Sequence, residues 1–240
     1  MNACKGLGDG MLFDTRYERS FSDVETPPKA TVIGGSEASS KVKRFADILL
    51  SVLLVIPVGL VLGMIALIVL VFDRQPVFYV QTRVGRWGLP FQCLKIRTMR
   101  IDADELLEQI LADDPVAAQE WREHQKLSND PRVTPIGRFL RKTSLDELPQ
   151  LLNVLRGDMS LVGPRPIIEP EVERYGSDIA YYHAVRPGVT GLWQVSGRSK
   201  TSYSRRVALD REYVETRSLA LDMSILVRTG WVVLTGQGSA

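Results

Sequence analysis

Two carboxylates stand side by side at Asp146 and Glu147, inside the segment SLDELPQLLNVLRGDMSLVGPRP (residues 144–166). A carboxylate can attack a phosphoryl group and form a covalent intermediate, dividing one hard displacement into two easier ones. A second carboxylate beside it can hold Mg²⁺, whose charge offsets the oxygens of a pyrophosphate. The pair also fits a purely structural role, because Ser144 and Glu147 have the S-x-x-E spacing of a helix capping box. Pro149 argues against that register. With Ser144 as the cap, Pro149 falls at the fifth helical position, where its missing N–H removes a bond to the Leu145 carbonyl. Moving the cap to Asp146 puts Pro149 in the first turn, where no donor is required. Both carboxylates then lie at the positive end of a helix dipole, which favours an ionised carboxylate and an approaching phosphate alike.

An anionic substrate needs cations around it, and Lys95, Arg97, Arg138, Arg141, Lys142, Arg165, Arg186 and Arg198 are available. Arg165 is the most specific of these, since Pro164 and Pro166 stiffen the backbone on both sides and limit where its side chain can point. Asp158, Asp210 and Asp222 could orient the cations or join a metal shell, and nothing local decides between these roles. Other phosphate-binding devices are missing: there is no G-x-x-x-x-G-K-[ST] loop, no G-x-G-x-x-G between strand and helix, and no G-x-S-x-G elbow. Cys4 and Cys93 lie far apart and suggest no disulfide framework. His124 and His183, the two histidines, have no Cys or His companion at ligand spacing, so a structural zinc site is unsupported. The chain carries 30 basic and 28 acidic residues, and a net charge of +2 is too small to imply nucleic acid as a partner. No basic stripe with interleaved aromatics appears either.

The elements that must position these groups can be read outward from them. At 240 residues and 45% hydrophobic content, the chain suffices for one globular domain plus one extra segment. Residues 1–40 mix Gly, Ser, Pro and charges without periodicity and read as a flexible tail, and 236–240 is expected as a short C-terminal tail. From Ile48 to Phe72 there is no charge, a run longer than the roughly 20 residues a helix needs to cross the hydrocarbon core. Pro57 interrupts this run. Lys41, Lys43 and Arg44 precede it, while Arg74, Arg83 and Arg86 follow it, so neither flank is favoured for the cytoplasm over the other. A helix over 41–74 that enters the membrane, bends at Pro57 and returns to the same face satisfies both ends. Beyond it, 75–235 predicts a catalytic domain. Within that domain, Val77–Arg83 and Pro90–Ile96 predict a hairpin around Gly85–Gly88. A helix over 103–126 breaks where Asp114 caps and Pro115 restarts. Helices over 148–156 and 203–217 flank a Gly/Pro-rich loop region, 157–198. The apolar stretch 222–234 suits an interfacial or a core helix. The class expected is α+β: a membrane helix-break-helix, then a small, mainly helical cytosolic domain with a short hairpin and interfacial amphipathic helices.

Three ordered motifs carry a resemblance: LKIRTM (94–99), DPRVTPIGRFLRKTSLDELPQLLNVLRGDMSLVGPRP (130–166) and RPGVTGLWQVSGR (186–198). Together they closely resemble the bacterial sugar transferases, also called monotopic phosphoglycosyl transferases, from about Lys43 to about Leu234. The order of tail, membrane segment and catalytic domain is most similar to the compact hexose-1-phosphate transferases that start exopolysaccharide synthesis. The resemblance implies transfer of hexose 1-phosphate, by preference galactose and then glucose, from a UDP-hexose to undecaprenyl phosphate with release of UMP. It implies that Asp146 is the phosphoryl nucleophile, that Glu147 binds Mg²⁺, and that Lys95, Arg141, Arg165 and Arg198 contact substrate phosphates. Asp222, in SLALDMSIL, is the supporting acid it suggests, and Asp158 is a second candidate from the residues alone. It implies a re-entrant helix at the bacterial inner membrane with the catalytic domain on the cytoplasmic face. The residue before Pro57 is Ile56, where related proteins often place serine, so the break rests on Pro57 alone. The competing expectation is a membrane scaffold of polysaccharide assembly that keeps the fold without activity; Asp146, Glu147 and their cations speak against it.

Overall fold

The protein, seen as a computed structural model, is described over residues 37–124, 127–197 and 201–235. Most of the expected N-terminal tail, the C-terminal tail and Arg198 lie outside the described residues. Helix α1 (Glu37–Phe72) is 36 residues long and apolar enough to cross a membrane. It is one continuous helix through Pro57, so the expected helix break is not observed, and Pro57 only leaves the Leu53 carbonyl without its usual amide donor. One stripe of α1 rests on the rest of the protein: Asp47, Ser51, Ile65 and Val69 are buried, with Leu50, Val58, Val61 and Leu62 partly so. These positions recur at three- and four-residue intervals, the period of one helix face. Residues 52–57 are exposed throughout.

Both ends of α1 are tied to the domain by polar bonds. The Arg44 guanidinium donates to the carbonyls of Val154 and Leu155 at 2.7 and 3.2 Å. Those carbonyls belong to the last turn of α5 (Gln150–Arg156), where helix geometry provides no donor four residues on, and the Val154 carbonyl also accepts the Gly157 amide at 3.1 Å. Lys43 pairs with Asp222 at 2.7 Å, and Asp47 accepts the Ser160 hydroxyl at 2.8 Å. At the other end, the Thr134 hydroxyl donates to Asp73 at 2.8 Å.

The hairpin is observed as β1 (Phe78–Val84) and β2 (Pro90–Ile96), antiparallel with Phe78 opposite Ile96 and Val84 opposite Pro90. Its reversal uses Trp87 and Gly88, both in the left-handed region at φ 63° and 77°. Helices α2 (Ala103–Asp113) and α3 (Pro115–His124) meet at the expected break, where Asp114 accepts the amides of Val116 and Ala117 at 2.9 and 3.2 Å. Helix α4 (Pro135–Thr143) has no counterpart in the sequence reading, although Thr134-Pro135 is a cap followed by a first-position proline.

Region 157–198 is not a loop. It contains β3 (Ser160–Val162), α6 (Val172–Tyr175), α7 (Ile179–Ala184) and β4 (Gly188–Thr190). These are too short to show periodicity. The strands β3 and β4 pair in parallel, a long-range contact that local sequence does not encode. Gly188 permits their approach, since a Cβ there would lie 2.1 Å from the Gly163 nitrogen. Helices α8 (Tyr203–Thr216) and α9 (Leu219–Thr235) complete the described residues, α9 starting three residues before the expected 222. The main core joins Cys93, Val154, Met159, Leu161, Tyr213 and Ile225. Asn153, fully buried, accepts the Leu94 amide at 3.0 Å and donates to the Gln92 carbonyl at 2.7 Å, clamping α5 onto β2.

Candidate active site

Four pieces of chain converge on the paired carboxylates. Strand β2 delivers Lys95. Directly after it, Thr98 lies under α4, where the Thr134 amide donates to the Thr98 carbonyl at 3.1 Å. Gly137 makes this contact possible, because a Cβ at that position would sit 2.0 Å from the Thr98 oxygen. The close approach brings Arg141, one turn further along α4, to the Thr98 hydroxyl at 2.8 Å from Nε. Ser144 then ends α4 in the left-handed region (φ 58°), with its amide bonded to the Arg141 carbonyl at 3.2 Å. Leu145–Glu147 follow as a single tight 3₁₀ turn, and α5 starts at Gln150.

The cap expected at Asp146 is therefore not formed, and neither is the Ser144–Glu147 capping box. Ser144 is spent reversing the chain after α4, and Pro149 occupies the position before α5, which has no side-chain cap. The field at the carboxylates comes from side-chain cations instead of a helix end. Glu147 is held by Lys95 Nζ at 3.2 Å and by Arg165 at 2.9 and 3.4 Å, using both carboxylate oxygens. Burial alone would raise its pKa; the Arg165 and Lys95 charges and bonds override that and hold it well below the usual carboxylate range. Reciprocally, Glu147 raises the pKa of Arg165.

Asp146 has the opposite surroundings. Burial and the charge of Glu147 push it up to about 6, against the opposing pull of Lys95, Arg165 and Arg141. Among the described residues no hydrogen bond or ion pair engages its carboxylate. Two adjacent acids are thus driven apart: Glu147 stays ionised and committed to its cations, while Asp146 is left open to react.

Asp146 and Glu147 open into a cavity of about 830 Å³ whose lining includes Lys95, Arg97, Thr98, Arg141, Arg165 and Trp193. Arg97 also bonds the Pro76 carbonyl at 3.1 Å through Nε. Of the other sequence-derived cations, Arg138 and Lys142 are exposed on α4, and Arg186 bonds the Gly157 carbonyl at 2.7 Å; none lines the cavity. The suggested supporting acids lie elsewhere too. Asp158 accepts from Asn153 at 3.2 Å, and Asp210 accepts the Tyr175 hydroxyl at 2.7 Å. Asp222 accepts from Lys43 at 2.7 Å and from Tyr213 at 2.8 Å, fastening α9 and α8 to α1. These three carboxylates act in the structure as ties, with Asp210 and Asp222 buried and Asp158 partly so.

Sequence reasoning missed Thr98, Trp193 and Arg83. Arg83 donates to the Pro166 carbonyl at 3.0 Å and so braces the loop that aims Arg165. Trp193, a lone aromatic in a Gly-rich motif, has Arg206 4.8 Å above its ring and donates from Nε1 to Thr201 at 2.8 Å. Its position in that motif was the available signal. Among the described residues no cluster of three or more His, Cys, Asp or Glu could enclose a metal. A Mg²⁺ ion usually takes only one or two carboxylates and completes its shell with water and substrate phosphate. The open Asp146 carboxylate next to Glu147 fits that donor set.

The bacterial sugar transferase family profile matches residues 38–236. The chain is 55% identical over 178 residues to a UDP-galactose-lipid carrier transferase of Erwinia amylovora, covering 72% of this chain and 37% of that protein. It is 54% identical over 167 residues to an undecaprenyl-phosphate galactose phosphotransferase of Salmonella typhimurium, covering 70% and 35%. It is 52% identical over 167 residues to the exopolysaccharide production protein ExoY of Rhizobium meliloti, covering 70% and 74%. The match thus spans little more than a third of the first two relatives and about three quarters of the third. With the profile covering most of the chain and the three motifs gathered around one cavity, this protein belongs to the bacterial sugar transferase family.

Proposed function

We propose that the protein transfers hexose 1-phosphate, with galactose as the sugar, from a UDP-hexose to undecaprenyl phosphate as the first membrane step of exopolysaccharide synthesis. The observation that carries this reading is the open carboxylate of Asp146 in a cation-lined cavity, beside a Glu147 ion-paired with Lys95 and Arg165. An Asp146 oxygen attacks the sugar-proximal phosphorus, the bond from that phosphorus to the UMP oxygen breaks, and UMP leaves. The sugar phosphate then sits on Asp146 as an acyl phosphate. A phosphate oxygen of the polyprenyl phosphate attacks the same phosphorus and returns the carboxylate. Lys95, Arg141 and Arg165 counter the phosphate charge, and Arg198 is assigned the same role. Mg²⁺, held by Glu147 with Asp146, would neutralise charge on the pyrophosphate when bound.

The placement of the site beside α1 supports a membrane enzyme working on one water-soluble and one lipid substrate in turn. We read 41–74 as re-entrant at the inner membrane, with the 75–235 domain on the cytoplasmic face. Support comes from the ties at Arg44 and Asp73, which fix both ends of α1 to the same domain. The galactose preference rests on the names of the two enterobacterial relatives. The test is a single-turnover assay with UDP-galactose and UDP-glucose but no lipid. A stoichiometric burst of UMP, with a hexose phosphate added to the peptide containing Asp146, is expected, and Asp146→Asn should abolish both. UMP appearing only when both substrates are present would overturn the two-step mechanism in favour of direct transfer.

A further inference from the structure

The cavity that holds Asp146 has two unlike sides. One carries Lys95, Arg141 and Arg165. The other is mainly apolar, built by Leu54 and Val58 of α1, Val189 of β4 and Val233 of α9, and the Thr190 and Thr229 hydroxyls in the same lining are bonded to each other. A nucleotide sugar gains little from those four apolar side chains, because hydroxyls and charges set against them lose water without gaining a partner. The wall is a fixed part of the fold. Val58 of α1 and Leu226 of α9 pack on one core cluster around Ile225, and the Thr229 and Thr190 hydroxyls lie 2.7 Å apart, joining α9 to β4.

The outer surfaces of the same two helices are apolar as well. Ile56 and Leu60 of α1 are 72% and 69% exposed, and Val227 and Trp231 of α9 are 70% and 64% exposed. Apolar surface of this extent on two adjacent helices belongs in lipid or against a partner, and α1 is long enough to span a bilayer. Both helices therefore meet the membrane together, and the space between them is reached from the hydrocarbon. A molecule whose phosphate is joined directly to a hydrocarbon chain satisfies both sides of the cavity at once.

We infer that Leu54, Val58 and Val233 form the binding site for the first isoprene units of the lipid acceptor, which enters between α1 and α9 and presents its phosphate to the cationic side. This rests on the polyprenyl phosphate reading above. The experiment compares Leu54→Trp and Val233→Trp, which fill the cleft while keeping it apolar, with Ile56→Trp, on the outer face and away from the cavity. Each full-length variant is assayed in nanodiscs with UDP-galactose and undecaprenyl phosphate, and its thermal unfolding is recorded. Both wall variants should raise the KM for undecaprenyl phosphate at least about tenfold, the loss expected when two or so buried methylenes lose their contacts. Their lipid-free UMP burst should keep its rate and amplitude, and Ile56→Trp should match wild type in both assays. An unchanged acceptor KM in folded wall variants overturns the inference. So does a burst that falls along with it, because the wall would then serve the donor. A wild-type enzyme without any burst refutes the covalent mechanism instead, and the KM comparison still decides the cleft.

Discussion

Replacing Asp146 by Asn should make the protein more stable at neutral pH while removing its activity. Asp146 is raised from an ordinary 3.8 to about 6 by burial and by the neighbouring Glu147 charge. A group bound more tightly to its proton in the folded state stabilises the fold fully below the unfolded value, and that stability is lost as pH rises through the folded one. The loss therefore builds between pH 3.8 and 6 and is complete at pH 7.5. Two units at about 1.4 kcal/mol each make the ionised carboxylate cost about 3 kcal/mol, an upper figure because the cavity keeps part of it in contact with solvent. Asn keeps the shape and removes the charge. Thermal unfolding in nanodiscs should show Asp146→Asn melting several degrees above wild type at pH 7.5, with the gain shrinking through pH 5 and nearly gone at pH 4. Equal or lower melting temperatures at pH 7.5, or a gain independent of pH, would refute the account of Asp146 as a destabilised carboxylate.

The same shift sets the acid limb of the chemistry: the rate of lipid-free UMP release should fall about tenfold per pH unit below about 6 as Asp146 protonates. Glu147→Gln should move that limb down, since the like charge that helps raise Asp146 is gone while burial, the larger cause, stays. The same variant should need more Mg²⁺ and lose about 3 kcal/mol or more of stability, because Lys95 and Arg165 are left without their partner. A variant with a lower melting temperature but full turnover at ordinary Mg²⁺ would assign Glu147 to structure alone. Cysteine-accessibility labelling at positions 41 and 75 should place both on the cytoplasmic side, and Pro57→Leu should push α1 toward a full crossing; position 41 on the periplasmic face would establish a single span.

Much of this protein is legible from residue order because its signals are local. The uncharged run to Phe72, the hairpin turn at Gly85–Gly88 and the Asp114-Pro115 break each declare themselves within a few residues, and all appear as elements where expected. The candidate pair was legible too, since two adjacent carboxylates ahead of a proline conflict with an ordinary helix start. The register was not. Whether Ser144 caps a helix or reverses the chain depends on α4, and α4 is fixed by the approach of Gly137 to Thr98, 39 residues upstream. The difference between Asp146 and Glu147 has the same origin, because Lys95 and Arg165 reach only Glu147, and they come from separate strand and loop segments. Asp222 was drawn toward the site by its motif, yet the fold spends it on Lys43 and Tyr213. Sequence thus determined the long apolar helix, the hairpin, the α2–α3 break and the chemical groups, all set by short-range sterics and hydropathy, while α4 and the short elements of 157–198 left no local signal long enough to read. Tertiary structure alone decided which carboxylate is paired and which is open, because burial and ion pairing are properties of the neighbours that distant segments bring together.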